Sequence, residues 1–364
     1  MISIIKKFYS DNLIPIKIWF AFSVILTAIP FIYHFLGLAY NLPFSIRTYL
    51  VDFWGYFWDG SHYIYISQSG YKFPLQAFFP GYPLLLKFLN FFLPLTIAFR
   101  INYFIVLLMI ISLYKFMDLF NFSKEDKIRA LVLYLAYPTS FFFLANYTEA
   151  LYTLLATWIL ISLSRSDFYK TSMLSFLIST IKISSVIFPV LLTFRYLKEN
   201  FKKLSLKKYF ELGVLNLISV LGIIIYFSYL QIYQKGYQIY FKAQAEWGRG
   251  SFSFINDYVG LRSEFYFERV SEILIFILLI VIFIWSYKKM SLEIYGFSLY
   301  HFILPVLTGT LLSLNRLSLY CFPVLLYFFG KSTKNKTVFY TMFIILLIWQ
   351  LAGIYVFING NFVG

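Results

Sequence analysis

Asp59, in the stretch FWDGSHYIYISQSGYKF (57–73), is a carboxylate set between Trp58 and Gly60 in a chain that is otherwise almost continuously apolar. Against apolar surface a carboxylate is partly desolvated, and such an acid can serve as general base toward an attacking hydroxyl. The plainer alternative is a loop aspartate capping the helix that SHYIYISQSG would form, because Asp is a good N-cap. His62, three residues on, would share the helix face of Asp59. Asp52 lies two helical turns earlier if that stretch is helical, either as a companion acid or as a solvated loop residue. Glu149 opens the apolar helix NYTEALYTLLATW, where a carboxylate also suits the helix dipole. The complementary charges are Lys182, in the middle of the apolar run 171–194, and Arg316, in SLNRLSLYCFP. Two cations at a membrane boundary suit a phosphate or pyrophosphate, which Arg grips bidentately and Lys meets as a point charge. For Arg316 the alternative is snorkelling to the interface. The three histidines are dispersed, His34 and His301 lying in apolar runs, so no metal-ligand cluster is expected.

The elements that position these residues follow from composition. The chain has 364 residues, 60% hydrophobic and 13% charged, about half the charged share of a soluble domain. Runs such as ILIFILLIVIFIW (273–285) and TVFYTMFIILLIWQLAGIYVFI (337–358) are solidly apolar and approach or exceed the ~20 residues that cross a bilayer. They lack the apolar–polar alternation of a membrane β-barrel. An all-α polytopic membrane protein is expected, one integral membrane domain over residues 1–364. The net charge of +15 reads as Lys- and Arg-rich cytoplasmic loops rather than a nucleic-acid surface. Cys321 is the single cysteine, which leaves no disulfide framework. The run at about 16–40 is too long for a signal-peptide core and reads as a retained anchor.

Hydropathy marks candidate spans at about 16–40, 78–98, 101–117, 128–145, 147–164, 171–194, 211–234, 270–287, 293–313, 316–330 and 337–358. If each crossed once, Lys124 and Arg165 would face outward. All basic clusters share one side if 78–98 lies along the interface and 171–194 enters and returns on the same side. Pro80, Pro83, Pro94 and Lys87 favour the first condition. Lys182 favours the second, since a lysine at mid-bilayer costs ~2.5–3.5 kcal/mol unless it lines a polar cavity. The outer features are then the loop 41–98, the NYTE turn (146–149) and the loop 235–269, with Glu246, Asp257, Glu264, Glu268 and Glu272 on that side. In the last loop, YFKAQAEWGRGSFSF (240–254) offers Tyr240 and Trp247 for stacking on a sugar face.

Together these segments resemble the PIG-V-like mannosyltransferases. FWDGSHYIYISQSGYKF followed by QAFFPGYPLLLKFL is similar to that family's W-D-x-x-H-Y/F, x-x-G-Y and A-F-F-P-x-Y-P-L-L series. YPTSFFFLANYTEALYTLLA resembles its P-T-x-F-F-F…Y-T/S-E segment. STIKISSVIFPVLL stands at its R-P-T-G, YFKAQAEWGR at its aromatic–A-Q–W–R cluster, and NRLSLYCFPVLL at its R-Y-L-L-P-x-F-P stretch. Lys182 replaces the family's usual arginine and Ile183 the proline beside it. The resemblance implies a GT-C glycosyltransferase fold with a large first outer loop carrying interfacial helices, which fits the about 11 transmembrane or re-entrant helices that hydropathy marks. It implies an inverting, metal-independent transfer of mannose from a dolichyl- or polyprenyl-phosphate donor to a lipid or glycan acceptor. In eukaryotes the family acts on the GPI anchor precursor. Chain length and residue usage resemble a prokaryotic or archaeal member in a plasma membrane (the endoplasmic reticulum membrane in a eukaryote), working on the non-cytoplasmic side. Asp59 falls on the family's catalytic aspartate; Lys182 and Arg316 would hold the donor phosphate, and His62, Glu149, Asp52, Trp58, Trp247 and Gln244 would support or bind acceptor and sugar. The competing readings are a flippase or transporter of lipid-linked sugars, for which no inverted repeat is visible, and a GT-C enzyme for another sugar.

Overall fold

The computed structural model describes residues 2–39, 45–203, 205–249, 266–309, 311–361 and 363, with backbone only for 2–9, 203 and 266. Asp257, Glu264 and residues 250–254 of the Tyr240 stretch lie outside the described residues. The described chain is helices and turns: α1 (Ile2–Phe35), α2 (Phe53–Tyr56), α3 (Asp59–Ser69), α4 (Gly81–Leu89), α5 (Leu95–Ala98), α6 (Ile101–Phe116), α7 (Lys124–Leu135), α8 (Glu149–Ser164), α9 (Phe168–Ser179), α10 (Ile187–Asn200), α11 (Leu206–Tyr233) and α12 (Gln238–Glu246). Then come α13 (Tyr266–Ser286), α14 (Leu292–Leu307), α15 (Leu314–Leu317), α16 (Phe322–Ser332) and α17 (Lys336–Ile358). Large apolar side chains such as Ile284, Leu307 and Ile348 stand 62–73% exposed on the outside of the bundle, a surface that belongs in lipid rather than water.

The expected count of about 11 transmembrane or re-entrant helices is not confirmed. Among the described residues four stretches have the length and apolarity to cross a membrane: Ser10–Phe35, Leu95–Phe120, Leu206–Tyr233 and Lys336–Ile358; Glu149–Ser164 and Leu292–Leu307 are shorter apolar helices. Turns that hydropathy does not register break two of the other runs. The run 128–145 stops at Ala136 and continues as a 3-10 turn over Ser140–Phe143, and 316–330 is divided by the 3-10 turn Ser318–Cys321.

Hydrogen bonds fix the path of the chain between the two ends of the bundle. Thr171 Oγ1 donates to Ser162 Oγ at 3.2 Å, so α8 and α9 meet at a tight turn. At the far end of α9 the helix stops, and Lys182 takes an extended backbone (φ −151°, ψ 145°) before a short 3-10 turn leads into α10. The break persists although Ile183 stands where a proline would enforce it. Arg195, in the second half of α10, returns to Ser166 at 3.3 Å, beside the turn from which α9 left. Segment 171–194 thus enters and returns on one side, with Lys182 at the tip.

Segment 78–98 likewise stays at one end. Gly81 N donates to Thr180 O at 2.7 Å, and the Tyr82 hydroxyl donates to Asn146 Oδ1 at 2.8 Å and Asn102 Oδ1 at 3.1 Å. At nine residues, α4 is about 13 Å long, too short to span. Leu84 and Phe88 are exposed along it and Phe91 and Phe92 just past its end, a pattern that suits an interfacial helix. Gly81 must be glycine for a packing reason, since a Cβ there would lie 2.3 Å from Thr180 Oγ1 and 2.7 Å from Thr180 O. Gly81→Ala should therefore lower the thermal midpoint in detergent by an amount equivalent to about 1–3 kcal/mol of overpacking. Gly213→Ala, where a Cβ meets nothing within 4 Å, should leave it unchanged or raised, since alanine is the better helix former. Equal midpoints for the two variants would contradict this close approach.

Candidate active site

The chain between α2 and α3 is wound so that Asp59 opens α3. Phe57 is extended (φ −79°, ψ 135°), and Trp58 sits at φ +48°, ψ −124°, a strained conformation for a non-glycine residue. The strain is held from outside the segment. Asn146 Nδ2 donates to Gly55 O at 3.1 Å and Gly60 O at 2.9 Å, Asn146 N donates to Trp54 O at 2.7 Å, and the Tyr147 hydroxyl donates to Phe57 O at 3.2 Å. A Cβ on Gly60 would come within 2.7 Å of Gly55 O, so the loop closes only with glycine there. Asn146 is in turn fixed by Tyr82, and Asn102 Nδ2 donates to the carbonyls of Ala145 and, at 3.1 Å, Tyr147. Asn102, Asn146 and Tyr82 are fully buried, where unmade hydrogen bonds would be costly.

Arg316 arrives on a separate support. Ser313, at φ +65°, donates its backbone N–H to Glu272 Oε1 at 2.9 Å, and Thr139 Oγ1 donates to Asn315 O at 2.6 Å. From there Arg316 Nη1 donates to Asp59 Oδ2 at 2.6 Å, with Nε 3.5 Å from Glu149 Oε1. Lys182 Nζ donates to the same Glu149 oxygen at 3.0 Å and to the Tyr320 hydroxyl, which itself donates to Glu149 Oε1 at 3.2 Å. The cluster is two acids and two cations from four distant parts of the chain, neutral overall. It is shielded but not closed: the Asp59 side chain is 17% exposed and that of Lys182 20%, against 1% for Glu149. Among the described residues Asp59 Oδ1 accepts no hydrogen bond, and Glu149 Oε2 has no partner.

The other expected residues fall in two groups. His62 packs between Phe78 and Trp247, with ring centroids 5.4 and 5.1 Å away. Burial there holds its imidazole below the ordinary value; the Asp59 charge opposes the shift and Lys72 adds to it. Trp247 Nε1 donates to Pro74 O at 3.1 Å and Gln244 Nε2 to Ala77 O at 3.3 Å, so both tie α12 to the turn before α4. Trp58 is 39% exposed. Asp52 does not join the cluster: it lies 3.7 Å from Arg47 on an exposed face. Its expected alignment with Asp59 assumed an unbroken helix, and the chain breaks at Phe57–Trp58.

Asn146, Tyr147, Tyr82, Tyr320 and Arg249 belong to the site and escaped the sequence reading. Tyr320 could have been found by its place four residues after Arg316. Arg249, in the WGR stretch, forms no ion pair among the described residues; its Nη1 donates to Thr308 Oγ1 at 3.4 Å. Burial and the neighbouring Arg316 lower its guanidinium to about 10, with Glu272 and Asp59 acting the other way, and it remains a cation at neutral pH. Among the described residues no three His, Cys, Asp or Glu side chains gather as a metal site.

The fold is that of a helical membrane protein, with complementary charges half-sheltered at one end of its bundle. The chain belongs to the family described as Mannosyltransferase (PIG-V), whose model matches residues 38–297. It is therefore a glycosyltransferase, and Asp59, Glu149 and Lys182 lie within the matched region while Arg316 and Tyr320 follow it. No curated protein matches the chain.

Asn146→Ala should cost about 2–4 kcal/mol of stability by removing its bonds to the Gly55 and Gly60 carbonyls and leaving the Tyr82 hydroxyl only Asn102, and should lower transfer by displacing Asp59. Tyr320→Phe, which keeps the ring, should cost only ~1 kcal/mol. Thermal midpoints of the two variants check the order; a Tyr320→Phe loss as large as that of Asn146→Ala would contradict the hierarchy.

Proposed function

We propose that the protein transfers mannose from a dolichyl- or polyprenyl-phosphate donor to a hydroxyl of a lipid-linked or glycan acceptor, with inversion, at the non-cytoplasmic face. The observation that carries this reading is the convergence of Asp59 with Lys182 and Arg316. Asp59 Oδ1 takes the proton of the acceptor hydroxyl as its oxygen bonds the anomeric carbon. The bond from that carbon to the phosphate oxygen breaks with its electron pair going to the phosphate, which leaves as the lipid phosphate. Single displacement from the opposite face inverts the anomeric centre.

Charge develops on the leaving phosphate, and preorganised cations are the most effective way to stabilise it. Arg316 and Lys182 are engaged by Asp59 and Glu149 in the resting cluster, so an arriving phosphate competes with those carboxylates for them. When Arg316 turns toward phosphate, Asp59 Oδ2 is released as the acceptor arrives. Arg249, which pairs with no carboxylate among the described residues, supplies a third positive charge, so that these residues do without a metal. His62, neutral in its aromatic setting, orients the acceptor beside Asp59, and Trp58 and Trp247 offer rings to a sugar face.

The orientation rests on charge. Lys124, Arg165, Arg195, Lys289 and Lys331 lie at helix ends opposite the cluster, and Lys- and Arg-rich ends stay cytoplasmic.

Asp59→Asn keeps the shape and removes the base. Transfer of labelled mannose from dolichyl-phosphate mannose in detergent should fall about 10²–10⁴-fold, with the protein still folded and still binding donor. Undiminished turnover would remove Asp59 from the base role. Dolichyl-phosphate glucose in a parallel assay should give no transfer, and comparable glucose transfer would overturn the donor assignment.

A further inference from the structure

A cavity of about 350 Å³ lies away from the ionic cluster, where the ends of α6, α8, α10 and α16 surround the turn between α13 and α14. Ser164, on its wall, is at the opposite end of α8 from Glu149, about 22 Å away at 1.5 Å per residue. Its polar lining includes Arg195, Lys289, Lys331, Glu293, Ser291 and Asn121. Arg195 is committed, with Glu199 at 2.7 Å and Glu293 at 3.3 Å. The two lysines form no ion pair among the described residues: Lys289 lies 3.5 Å over the Trp285 ring and Lys331 4.8 Å over Phe122. Aromatic faces hold both ammonium groups in place without neutralising them.

Two further features point to an occupant. Glu293 is 4% exposed, and its Oε2 has no hydrogen-bond partner, an uncommon state for a buried carboxylate oxygen. It awaits a donor from within the cavity. The sixteen-residue helix α14 also begins here, with Glu293 in its first turn and no side-chain capping bond from Ser291. Two ammonium groups with no carboxylate partner among the described residues suit a phosphate; the Glu293 oxygen without a partner suits a hydroxyl beside it.

We propose that this cavity binds a phosphate ester carrying a neighbouring hydroxyl, the chemistry of a glycerophosphate headgroup. Lys289 and Lys331 meet the phosphate, and the hydroxyl donates to Glu293 Oε2. Such a group comes either from a phospholipid of the adjoining leaflet or from a free phosphate ester. Its occupancy would clamp the far ends of α8 and α10, whose near ends carry Glu149 and follow Lys182.

Thermal unfolding of the full chain in detergent tests this with three probes: short-chain phosphatidylglycerol, glycerol 3-phosphate and short-chain phosphatidylcholine. Phosphatidylglycerol should raise the midpoint by about 2–4 °C or more, and the rise should vanish in Lys289→Gln/Lys331→Gln, whose unliganded midpoint and mannose transfer should match the parent. A similar rise with glycerol 3-phosphate supports the same site filled from solution, whereas a rise with the lipid alone assigns it to the membrane. Three results would overturn the site: no rise with either probe, an equal rise with phosphatidylcholine, or a rise that survives the double substitution.

Discussion

Charges sheltered from water inside an apolar bundle must neutralise one another, because an isolated buried ion costs several kcal/mol. In this protein that requirement joins Asp59, Glu149, Lys182 and Arg316. Arg316 bridges the two acids, at 2.6 Å from Asp59 and 3.5 Å from Glu149, and Lys182 closes the set at 3.0 Å. Each residue comes from a different element, so the network can form only when α3, α8, the α9–α10 tip and α15 all converge. The same neutrality makes the cluster responsive, since an anion that takes one cation must release a carboxylate.

Much of the conspicuous sequence around the site serves position rather than chemistry. In FFPGYPLL, Gly81 allows α4 to touch Thr180, two residues before Lys182, while Tyr82 reaches Asn146. Asn146 then holds the carbonyls on both sides of Trp58. One short helix thereby sets Asp59 and Lys182 together. Trp247 and Gln244 act in the same manner, donating to the backbone of the turn before α4.

The helical membrane class was legible because long apolar runs leave no other economical structure. Lys182 betrayed the break in its run, since an uninterrupted helix would have left its charge in lipid. Pairing of Asp59 with Arg316 could be read only as complementarity between two sparse charges. Asn146 was not legible, because an asparagine in a turn is ordinary and its worth lies in two carbonyls some ninety residues away. Hydropathy alone also sums over the turns at 136–143 and 318–321, and Asp52 was misplaced because composition does not reveal the positive φ at Trp58. Periodicity reports which residues are apolar; it is silent on where a carbonyl must be satisfied.

The claim at the centre is that Asp59 and Arg316 act as one unit, and a double-substitution cycle on mannose transfer measures it directly. Asp59→Asn, Arg316→Gln and the pair together should show strong non-additivity, the double variant losing little more than the worse single one, as residues of one catalytic unit do. Losses that multiply independently would mean that the ion pair is a neighbourly contact and that the chemistry resides elsewhere.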